Sequence, residues 1–422
     1  MRSKGWISLI VPLRKAGGIL FCGIFLLTQL FPCEVSAKEN QINPGSLYAL
    51  SAAVIDGENG RLLYGKEADV HRANASTTKI LTCILCLENG NLQDYVAVSE
   101  YAASMPDVQL NICEGEYYKM EDLLYSLMLE SHNDSAVALA EHIGGSVEGF
   151  SNLMNEKAAE LGCNDSYFLT PNGLDKKKGK KFHGTTAYDL GKIMKYCAWD
   201  SPQSDKFLQI TQTAEHSFTN YEKKEKNSFV KGSKTYSCRN HNAYLQQNRS
   251  CISGKTGFTS QAGYCYVAAL ESEGRKYTLA LLGCGWPNNK TYKWKDCEKL
   301  CSYIDGNYHY QQVPDITSKL ASVWIRDDEN NYFDLNHKTY VRPRVKQKIT
   351  KILLADWEKL DFKVNYPTSI SATKKGTQTI GKFQMLVGNH IISTQPIKID
   401  CPFGRRGLDW YFGTIARMWA GT

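Results

Sequence analysis

A serine and a lysine three residues apart are the first pair in the chain whose types and spacing suit nucleophilic chemistry. The motif is Ser76-Thr77-Thr78-Lys79, and the apolar stretch that follows it from Ile80-Leu81 is typical of a buried helix. This spacing places both side chains on one helical face, so the lysine amine can reach the serine hydroxyl. A lysine held neutral by burial or by a nearby cation can take the serine proton. The pair therefore predicts acyl transfer with Ser76 as nucleophile and Lys79 as base.

A second short motif, Ser131-His132-Asn133, follows the helically spaced apolar residues between Met120 and Met128. Asp134 or Ser135 can cap a new helix, so the motif is expected on a tight connection between two helices. Its serine can relay a proton to a leaving amine. Its asparagine can bond the lysine or a substrate amide, and its histidine is interpreted as a spacer or packing residue.

A third motif, Lys255-Thr256-Gly257, precedes the strand-like run from Ala262 to Leu270. Its lysine and threonine suit a carboxylate, and its glycine allows a backbone to approach closely. A nucleotide-binding loop built on Gly254 is excluded, because Arg249 stands where such a loop requires its first glycine. The three motifs in this order are the pattern of penicillin-interacting serine enzymes.

The surrounding segments predict an α+β fold. A strand hairpin is expected from 47–55 and 61–64, and a second one from 262–270 and 276–282. Helically spaced apolar residues and a polar, loop-rich segment lie between the two hairpins. Strands from both ends of the segment are expected to form one sheet around a helical middle. Asp189 is interpreted as a helix cap.

The two ends and the composition divide the chain further. Basic residues, an apolar run from Ala16 to Leu30 and Val35-Ser36-Ala37 are typical of a cleaved signal peptide; an uncleaved signal anchor is the alternative. Past about residue 310, short segments rich in Thr, Val and Tyr predict a small β domain. The predicted division is residues 1–37 as signal peptide, 38–309 as catalytic domain, 310–399 as β-rich domain and 400–422 as amphipathic helix.

The C-terminal residues predict an amphipathic helix that lies on a membrane surface. Its apolar face and its basic border comprise Leu408, Tyr411, Phe412, Ile415, Met418 and Trp419, with Arg405, Arg406 and Arg417. Aromatic residues such as Trp410 and Trp419 suit the lipid head-group region, and the segment is too short to span a bilayer. A terminal helix docked on its own domain is the alternative.

Charge and cysteine content limit the partners. The net charge of +7 is modest. Its lysine clusters, at 176–178 with 180–181 and at 223–226, are interpreted as solvated loops; a weak preference for anionic wall polymer or lipid head groups is the alternative. Nucleic acid is not expected as a partner outside the cell. The 14 cysteines are expected to be mostly free thiols, although Cys238 and Cys251 can bridge a loop. Cys83 and Cys86 lie in the apolar helical stretch and are interpreted as packing residues. No metal or cofactor is expected.

At these motifs the chain resembles the low-molecular-weight penicillin-binding proteins of the S11 D-alanyl-D-alanine carboxypeptidase family. The resemblance covers about residues 45 to 305. The matching stretches are Ala75-Ser76-Thr77-Thr78-Lys79-Ile80-Leu81-Thr82, Ser131-His132-Asn133-Asp134-Ser135-Ala136, Lys255-Thr256-Gly257, Thr170-Pro171-Asn172-Gly173-Leu174, Thr186-Ala187-Tyr188-Asp189-Leu190 and Ala262-Gly263-Tyr264. The resemblance implies an exported, penicillin-sensitive enzyme that acts on peptidoglycan stem peptides ending in D-Ala-D-Ala, with β-lactams as covalent inhibitors.

The resemblance also implies a role for each motif residue. Ser76 attacks the penultimate D-alanine carbonyl with Lys79 as base, Ser131 passes the proton to the departing D-alanine, and Asn133 holds the lysine and the substrate. Lys255 and Thr256 engage the terminal carboxylate. The backbone N–H groups of Ser76 and Phe258 form the oxyanion hole. Ser253 stands where the family usually has glycine, which leaves local strand geometry open, and Lys290 is a candidate for an additional substrate-facing cation.

Three other functions remain as alternatives. A D,D-endopeptidase would use the same residues and differ in substrate access. A β-lactamase would need an extra carboxylate, and no Glu-x-x-Leu-Asn arrangement is found around Pro171-Asn172-Gly173-Leu174-Asp175. A non-catalytic wall-binding or penicillin-sequestering module would not need Ser76 and Lys79 intact.

Overall fold

The computed structural model describes residues 6–8, 42–225, 228–329 and 338–421. They form two compact units, one of the described residues between 40 and 308, and one of residues 6–8 with the described residues from 309 onward. The predicted boundary between residues 309 and 310 lies one residue from this division. Apart from residues 6–8, the predicted signal peptide lies outside the described residues.

The described residues alternate strands and helices in the larger unit and are mostly strands in the smaller one. The strands are β1 (Trp6–Ser8), β2 (Ser51–Asp56), β3 (Leu62–Lys66), β4 (Tyr95–Ala97), β5 (Tyr117–Lys119), β6 (Lys177–Lys178), β7 (Lys181–Phe182), β8 (Glu215–Glu225), β9 (Ser228–Arg239), β10 (Cys251–Thr259), β11 (Gly263–Ser272), β12 (Arg275–Leu282), β13 (Tyr308–Gln312), β14 (Val323–Arg326), β15 (Thr339–Val341), β16 (Arg344–Val345), β17 (Lys351–Ala355), β18 (Leu360–Pro367), β19 (Ser369–Ser371), β20 (Gly376–Val387) and β21 (His390–Cys401). The helices are α1 (Lys79–Asn89), α2 (Glu100–Ala103), α3 (Met120–Leu129), α4 (Asn133–Gly144), α5 (Val147–Glu160), α6 (Ala187–Lys195), α7 (Ser204–Gln212), α8 (Tyr244–Gln247), α9 (Tyr292–Asn307) and α10 (Leu408–Ala420). A 3₁₀ turn, Ala75–Thr78, leads directly into α1.

The larger unit has an α+β fold in which both ends of the segment meet in one sheet. Its five antiparallel strands have the order β10-β11-β12-β2-β3, so the two predicted hairpins lie side by side. Strand β2 begins at Ser51 rather than at the predicted Leu47. The backbone N–H groups of Tyr48 and Ala49 donate to the Asp296 carboxylate instead of to a strand. Both hairpins are confirmed.

A buried helical layer completes the core of this unit. Helix α1 is buried from Lys79 to Leu87, and α3 and α4 pack with it. Cys83 and Cys86 are inside this layer, where burial raises the pKa of both thiols. The twelve cysteines in the described ranges are free thiols.

One part of the polar middle forms strands where loops were expected. Strands β8 and β9 make a long hairpin next to β4 and β5. Polar and charged residues occupy both faces of this hairpin, so its sequence lacks the apolar alternation that identifies a strand. The loop prediction was wrong here, including for Lys223 and Lys224, which lie in β8.

Two predicted helix caps were also wrong. Asp134 lies inside the first turn of α4, and its carboxylate accepts the N–H groups of Leu110, Asn111 and Ile112 as well as that of the next residue, Ser135. Thr186, not Asp189, caps α6, since its hydroxyl accepts the Asp189 N–H. Both aspartates sit where a helix dipole favours negative charge, and this is why the sequence pattern resembled a cap.

The smaller unit is rich in strands. Its largest sheet has the order β1-β18-β20-β21-β16, with the stacked rings of Phe362 and Phe383 in its core. Within the described ranges, no helix has the length and hydropathy needed to cross a membrane. In α10, Trp410 is buried and its indole N–H donates to the Glu329 carbonyl, so the prediction that Trp410 faces a membrane was wrong.

Candidate active site

The 3₁₀ turn before α1 sets the geometry of the serine–lysine pair. With three residues per turn, side chains at positions i and i+3 eclipse one another. The Nζ atom of Lys79 accordingly lies 3.0 Å from the Oγ atom of Ser76. The turn is fixed by the Asn74 amide, which donates to the hydroxyls of Thr77 and Thr78. Ser76 is partly exposed, whereas Lys79 is fully buried.

The connection between α3 and α4 brings the second motif to the same amine. Lys79 Nζ lies 2.8 Å from the Ser131 carbonyl, 3.3 Å from the Ser131 hydroxyl and 2.8 Å from Asn133 Oδ1. Ser131 has a φ of 73°, a left-handed conformation that is uncommon for a serine. Such strain at a residue that faces a reactive group is typical of functional sites.

The surroundings of Lys79 favour its neutral form. Its pKa is lowered well below the ordinary value, first by burial and then by the nearby Lys255, while Asp134 opposes the shift. A neutral amine has two N–H groups and one lone pair. The Ser131 carbonyl and Asn133 Oδ1 can accept hydrogen bonds but cannot donate them. Each therefore accepts a hydrogen bond from one N–H group of the amine. The lone pair of the neutral amine is then left for a hydroxyl, that of Ser76 at 3.0 Å or that of Ser131 at 3.3 Å, as a general base needs.

The third motif lies on β10, which is an edge strand of the five-stranded sheet. Lys255 is buried, its Nζ donates to the Thr256 carbonyl at 3.1 Å, and burial lowers its pKa to about 7. A Cβ atom on Gly257 would lie 2.9 Å from the Ser76 nitrogen, so a side chain there would crowd the turn. Phe258 is exposed, with its ring against that of Tyr264. Glycine thus lets β10 approach the nucleophile.

The loop that contains Asn172 and Gly173, to which the sequence assigned no role, also contacts the turn that carries Ser76. The Ser76 hydroxyl lies 3.4 Å from the Asn172 carbonyl, and Thr82 Oγ1 donates to the Pro171 carbonyl at 2.6 Å. Gly173 has a φ of 85°, and a Cβ atom there would lie 1.9 Å from the Ala75 carbonyl oxygen. Only glycine fits this position without moving the turn.

His183 joins this loop to the serine turn, and sequence reasoning missed it. Its Nδ1 accepts the backbone N–H groups of Leu169 and Thr170, so the proton is on Nε2, which donates to the Thr78 hydroxyl at 2.9 Å. Burial lowers the pKa of His183 to about 3. The imidazole is therefore neutral at ordinary pH. A single histidine outside any motif carries no sequence signal for such a role.

The remaining predicted residues have less direct positions. His132 is buried against the Ser126 hydroxyl, as expected of a packing residue. The Ser253 hydroxyl donates to Thr211 Oγ1. The pairing of β10 with β11 shifts register between Cys251 and Ser253, and Ser253 is two residues before Lys255. Lys290 is exposed in the loop between β12 and α9.

The geometry can carry out acyl transfer. It combines a serine at a helix start, a buried amine that favours neutrality, a second hydroxyl next to that amine and a second lysine on the adjoining strand. The backbone N–H groups and dipole at the start of a helix favour the negative charge that develops on a tetrahedral intermediate.

Comparisons with known proteins agree with this chemistry. The family model for D-alanyl-D-alanine carboxypeptidase, Peptidase S11, matches residues 36–284. The D-alanyl-D-alanine carboxypeptidase DacF of Bacillus subtilis is 25% identical over 392 residues, covering 91% of this chain and 93% of the relative. DacB2 of Mycobacterium tuberculosis is 32% identical over 230 residues, covering 54% of this chain and 72% of the relative. The crystal structure of penicillin-binding protein 5 from Haemophilus influenzae has the same fold, with a TM-score of 0.65 and 22% identity over 86% of this chain and 100% of that one.

Proposed function

This chain belongs to the peptidase S11 family of D-alanyl-D-alanine carboxypeptidases, and we propose that Ser76 is the residue it acylates. It is a serine-type, penicillin-sensitive carboxypeptidase that removes the terminal D-alanine from peptidoglycan stem peptides ending in D-Ala-D-Ala. The observation that carries the assignment of Ser76 is its 3.0 Å contact with the buried amine of Lys79.

Acylation begins when Lys79 takes the Ser76 proton and the serine oxygen attacks the penultimate D-alanine carbonyl. The oxyanion is held by the backbone N–H groups of Ser76 and Phe258. The close approach of Gly257 to the Ser76 nitrogen supports this pairing of the turn with β10.

The proton then moves from Lys79 to the nitrogen of the departing D-alanine. The Ser131 hydroxyl, 3.3 Å from Lys79 Nζ, is placed to relay it. Asn133 holds the amine in line through the contact of its Oδ1. Water then attacks the acyl-serine, with the neutral lysine again as base, and the shortened peptide leaves.

Lys255 and Thr256 bind the terminal carboxylate of the substrate. The lysine is buried, so an incoming carboxylate would meet little competition from water. Its pKa of about 7 would rise on contact with the anion, which favours the charged form. In this proposal the substrate carboxylate would lie on the β10 side of Ser76.

The remaining parts of the proposal concern location. A wall substrate requires export, which a cleaved signal peptide in residues 1–37 would provide. Helix α10 would hold the enzyme at the outer face of the cytoplasmic membrane. Six large apolar side chains of α10 are exposed and support this role: Leu408, Tyr411, Phe412, Ile415, Met418 and Trp419.

Two measurements on the purified chain test the catalytic proposal. Labelled penicillin is expected to acylate the wild-type chain and not Ser76→Ala; label that persists in the variant would assign the nucleophile elsewhere.

Mass spectrometry of wall fragments distinguishes carboxypeptidase products from endopeptidase products. Loss of one D-alanine from pentapeptides is expected, whereas cleavage of crosslinked dimers alone would favour the endopeptidase function.

A further inference from the structure

Three potential metal ligands lie close together at the connection between α3 and α4, which carries Ser131. Glu130 and His132 come from the connection between α3 and α4, and Cys238 comes from β9. One ligand atom from each lies within 4.8 Å of one from each of the others. The proposed peptidase reaction uses none of them.

The spacing of the two nearer ligands fits a tetrahedral zinc ion. Glu130 Oε2 and His132 Nε2 are 3.3 Å apart. Zinc–nitrogen and zinc–oxygen bonds of about 2.0–2.2 Å at a tetrahedral angle place two such ligand atoms about 3.3–3.5 Å apart. The cysteine sulfur lies within 4.8 Å of the other two ligand atoms. It needs a shift of at most about 1.2 Å, because a zinc–sulfur bond of about 2.3 Å places sulfur about 3.6 Å from those atoms.

Hydrogen bonds hold the two side chains in ligating orientations. The other oxygen of Glu130, Oε1, accepts the Arg239 N–H at 2.9 Å. The other nitrogen of His132, Nδ1, lies 2.8 Å from the Ser126 hydroxyl. Partners of this kind fix the ring and the carboxylate around a metal and leave Nε2 and Oε2 to face it.

We propose that Glu130, His132 and Cys238 bind a zinc ion. Nitrogen, oxygen and thiolate ligands together suit zinc better than magnesium or calcium, which prefer oxygen alone. Binding releases the thiol proton to solvent as the zinc–sulfur bond forms. Glu130 is partly exposed, so a water molecule can enter from its side and occupy the fourth position.

A zinc ion bound here would affect Ser131, a residue of the proposed catalytic site. Ser131 lies between Glu130 and His132, and its carbonyl and hydroxyl contact Lys79. A bound ion would tie this strained turn to β9. We therefore expect zinc to change the rate of Ser76 acylation as well as to raise the melting temperature.

Titration of the purified full chain with zinc and with cobalt tests the site. The wild-type chain is expected to bind one ion and to give thiolate-to-cobalt absorption in the near ultraviolet. Cys238→Ser should lose that absorption and bind zinc at least about tenfold more weakly. Glu130→Gln keeps an oxygen for the Arg239 N–H, and it should weaken zinc binding while leaving the cobalt–thiolate absorption visible at high cobalt concentration.

Cys113→Ser is the matched control, because Cys113 is exposed and contacts the Lys234 amine outside the cluster. It should bind zinc as the wild-type chain does. No zinc binding by the wild-type chain, or equal binding by Cys238→Ser, would overturn the proposal. Penicillin labelling of metal-free Cys238→Ser keeps this outcome separate from the peptidase function, since that labelling depends on Ser76.

Discussion

At the scale of single residues, the proposed reaction depends on a lysine that is neutral when it meets the serine. Lys79→Arg keeps a long cation at this position but cannot supply a neutral base, because a guanidinium stays protonated in proteins. Acylation by labelled penicillin is expected to slow by about 100-fold or more. Lys206→Arg, at a surface ion pair with Glu121, should acylate normally. Equal rates for the two variants would remove Lys79 from the base role.

The two lysines predict opposite limbs of the pH profile. Acylation requires neutral Lys79, whose pKa is lowered, so the rate rises with pH until that amine is deprotonated. Carboxylate binding requires charged Lys255, whose pKa in the free enzyme is about 7, so kcat/KM should fall as pH rises through about 7. Lys255→Arg stays charged and should abolish this fall. A fall that is unchanged in Lys255→Arg would assign the alkaline limb to another group.

His183 is a positioning residue in this scheme, since it contacts the Thr78 hydroxyl and not the reacting atoms. His183→Ala removes the link between the turn and the 169–174 loop, and misplacement of a nucleophile by about 1 Å can cost about 100-fold in rate. We expect kcat to fall more than KM rises. His142→Ala, at a partly exposed histidine near Asp94, is the control. The pKa of about 3 predicts no limb from His183 in the profile above that pH.

At the scale of elements, substitutions at two glycines distinguish the effect of backbone strain from the effect of crowding the active site. Gly173 and Gly179 both have positive φ, but a Cβ atom on Gly179 meets nothing within 4 Å. Gly179→Ala should cost about 1–2 kcal/mol of unfolding free energy and leave acylation unchanged. Gly173→Ala adds the clash with the Ala75 carbonyl, so acylation should fall as well. Urea unfolding and penicillin acylation, measured on both variants, give the comparison; equal acylation would mean that the loop does not position Ser76.

Elements with regular apolar spacing were predictable, and those fixed by distant partners were not. The helices around Ser131 and the hairpin of β11 and β12 follow from local pattern alone. The β8–β9 hairpin has polar residues on both faces, so no periodicity marks it. The carboxylate of Asp134 and the ring of His183 act on segments far away in the chain, and only the folded structure brings these partners together.

The same distinction applies to the site. The sequence predicted Ser76, Lys79, Ser131 and Asn133 because each belongs to a short motif, and in the structure the other three residues contact the amine of Lys79. The proposed zinc ligands lack a metal-binding spacing, since Cys238 is far along the chain from the other two. Residues that meet only through tertiary structure leave no local pattern.

At the scale of the whole molecule, α10 presents two different faces. Trp410 and Thr414 are buried, and the Arg406 guanidinium lies 4.4 Å from the Trp410 ring centroid. The opposite residues are open to solvent, with Trp419 90% exposed and Leu408 76% exposed. The docked-helix alternative explains the first face alone. The proposed membrane association would account for the second, because a helix that lies on a bilayer buries such side chains among lipids.

Replacing the open face tests that role without removing the docked one. Each large apolar side chain moved from water into lipid contributes about 1.5–3 kcal/mol when fully buried, so Leu408→Ser with Phe412→Ser and Trp419→Ser should reduce vesicle binding by more than about 100-fold. The measurement is cosedimentation with vesicles that contain anionic lipid. Higher salt should also weaken the binding of the wild-type chain to these vesicles, because it screens the attraction of Arg405 and Arg417 to the anionic head groups.

The control variant carries Tyr340→Ser and Ile391→Ser, which remove two exposed apolar side chains elsewhere in the same unit. It should bind vesicles as the wild-type chain does. Loss of binding in both variants would indicate a general effect of surface hydrophobicity. Wild-type binding that is absent, or that survives the change in α10, would leave only the docked helix, because Trp410 and Thr414 are intact in every one of these chains.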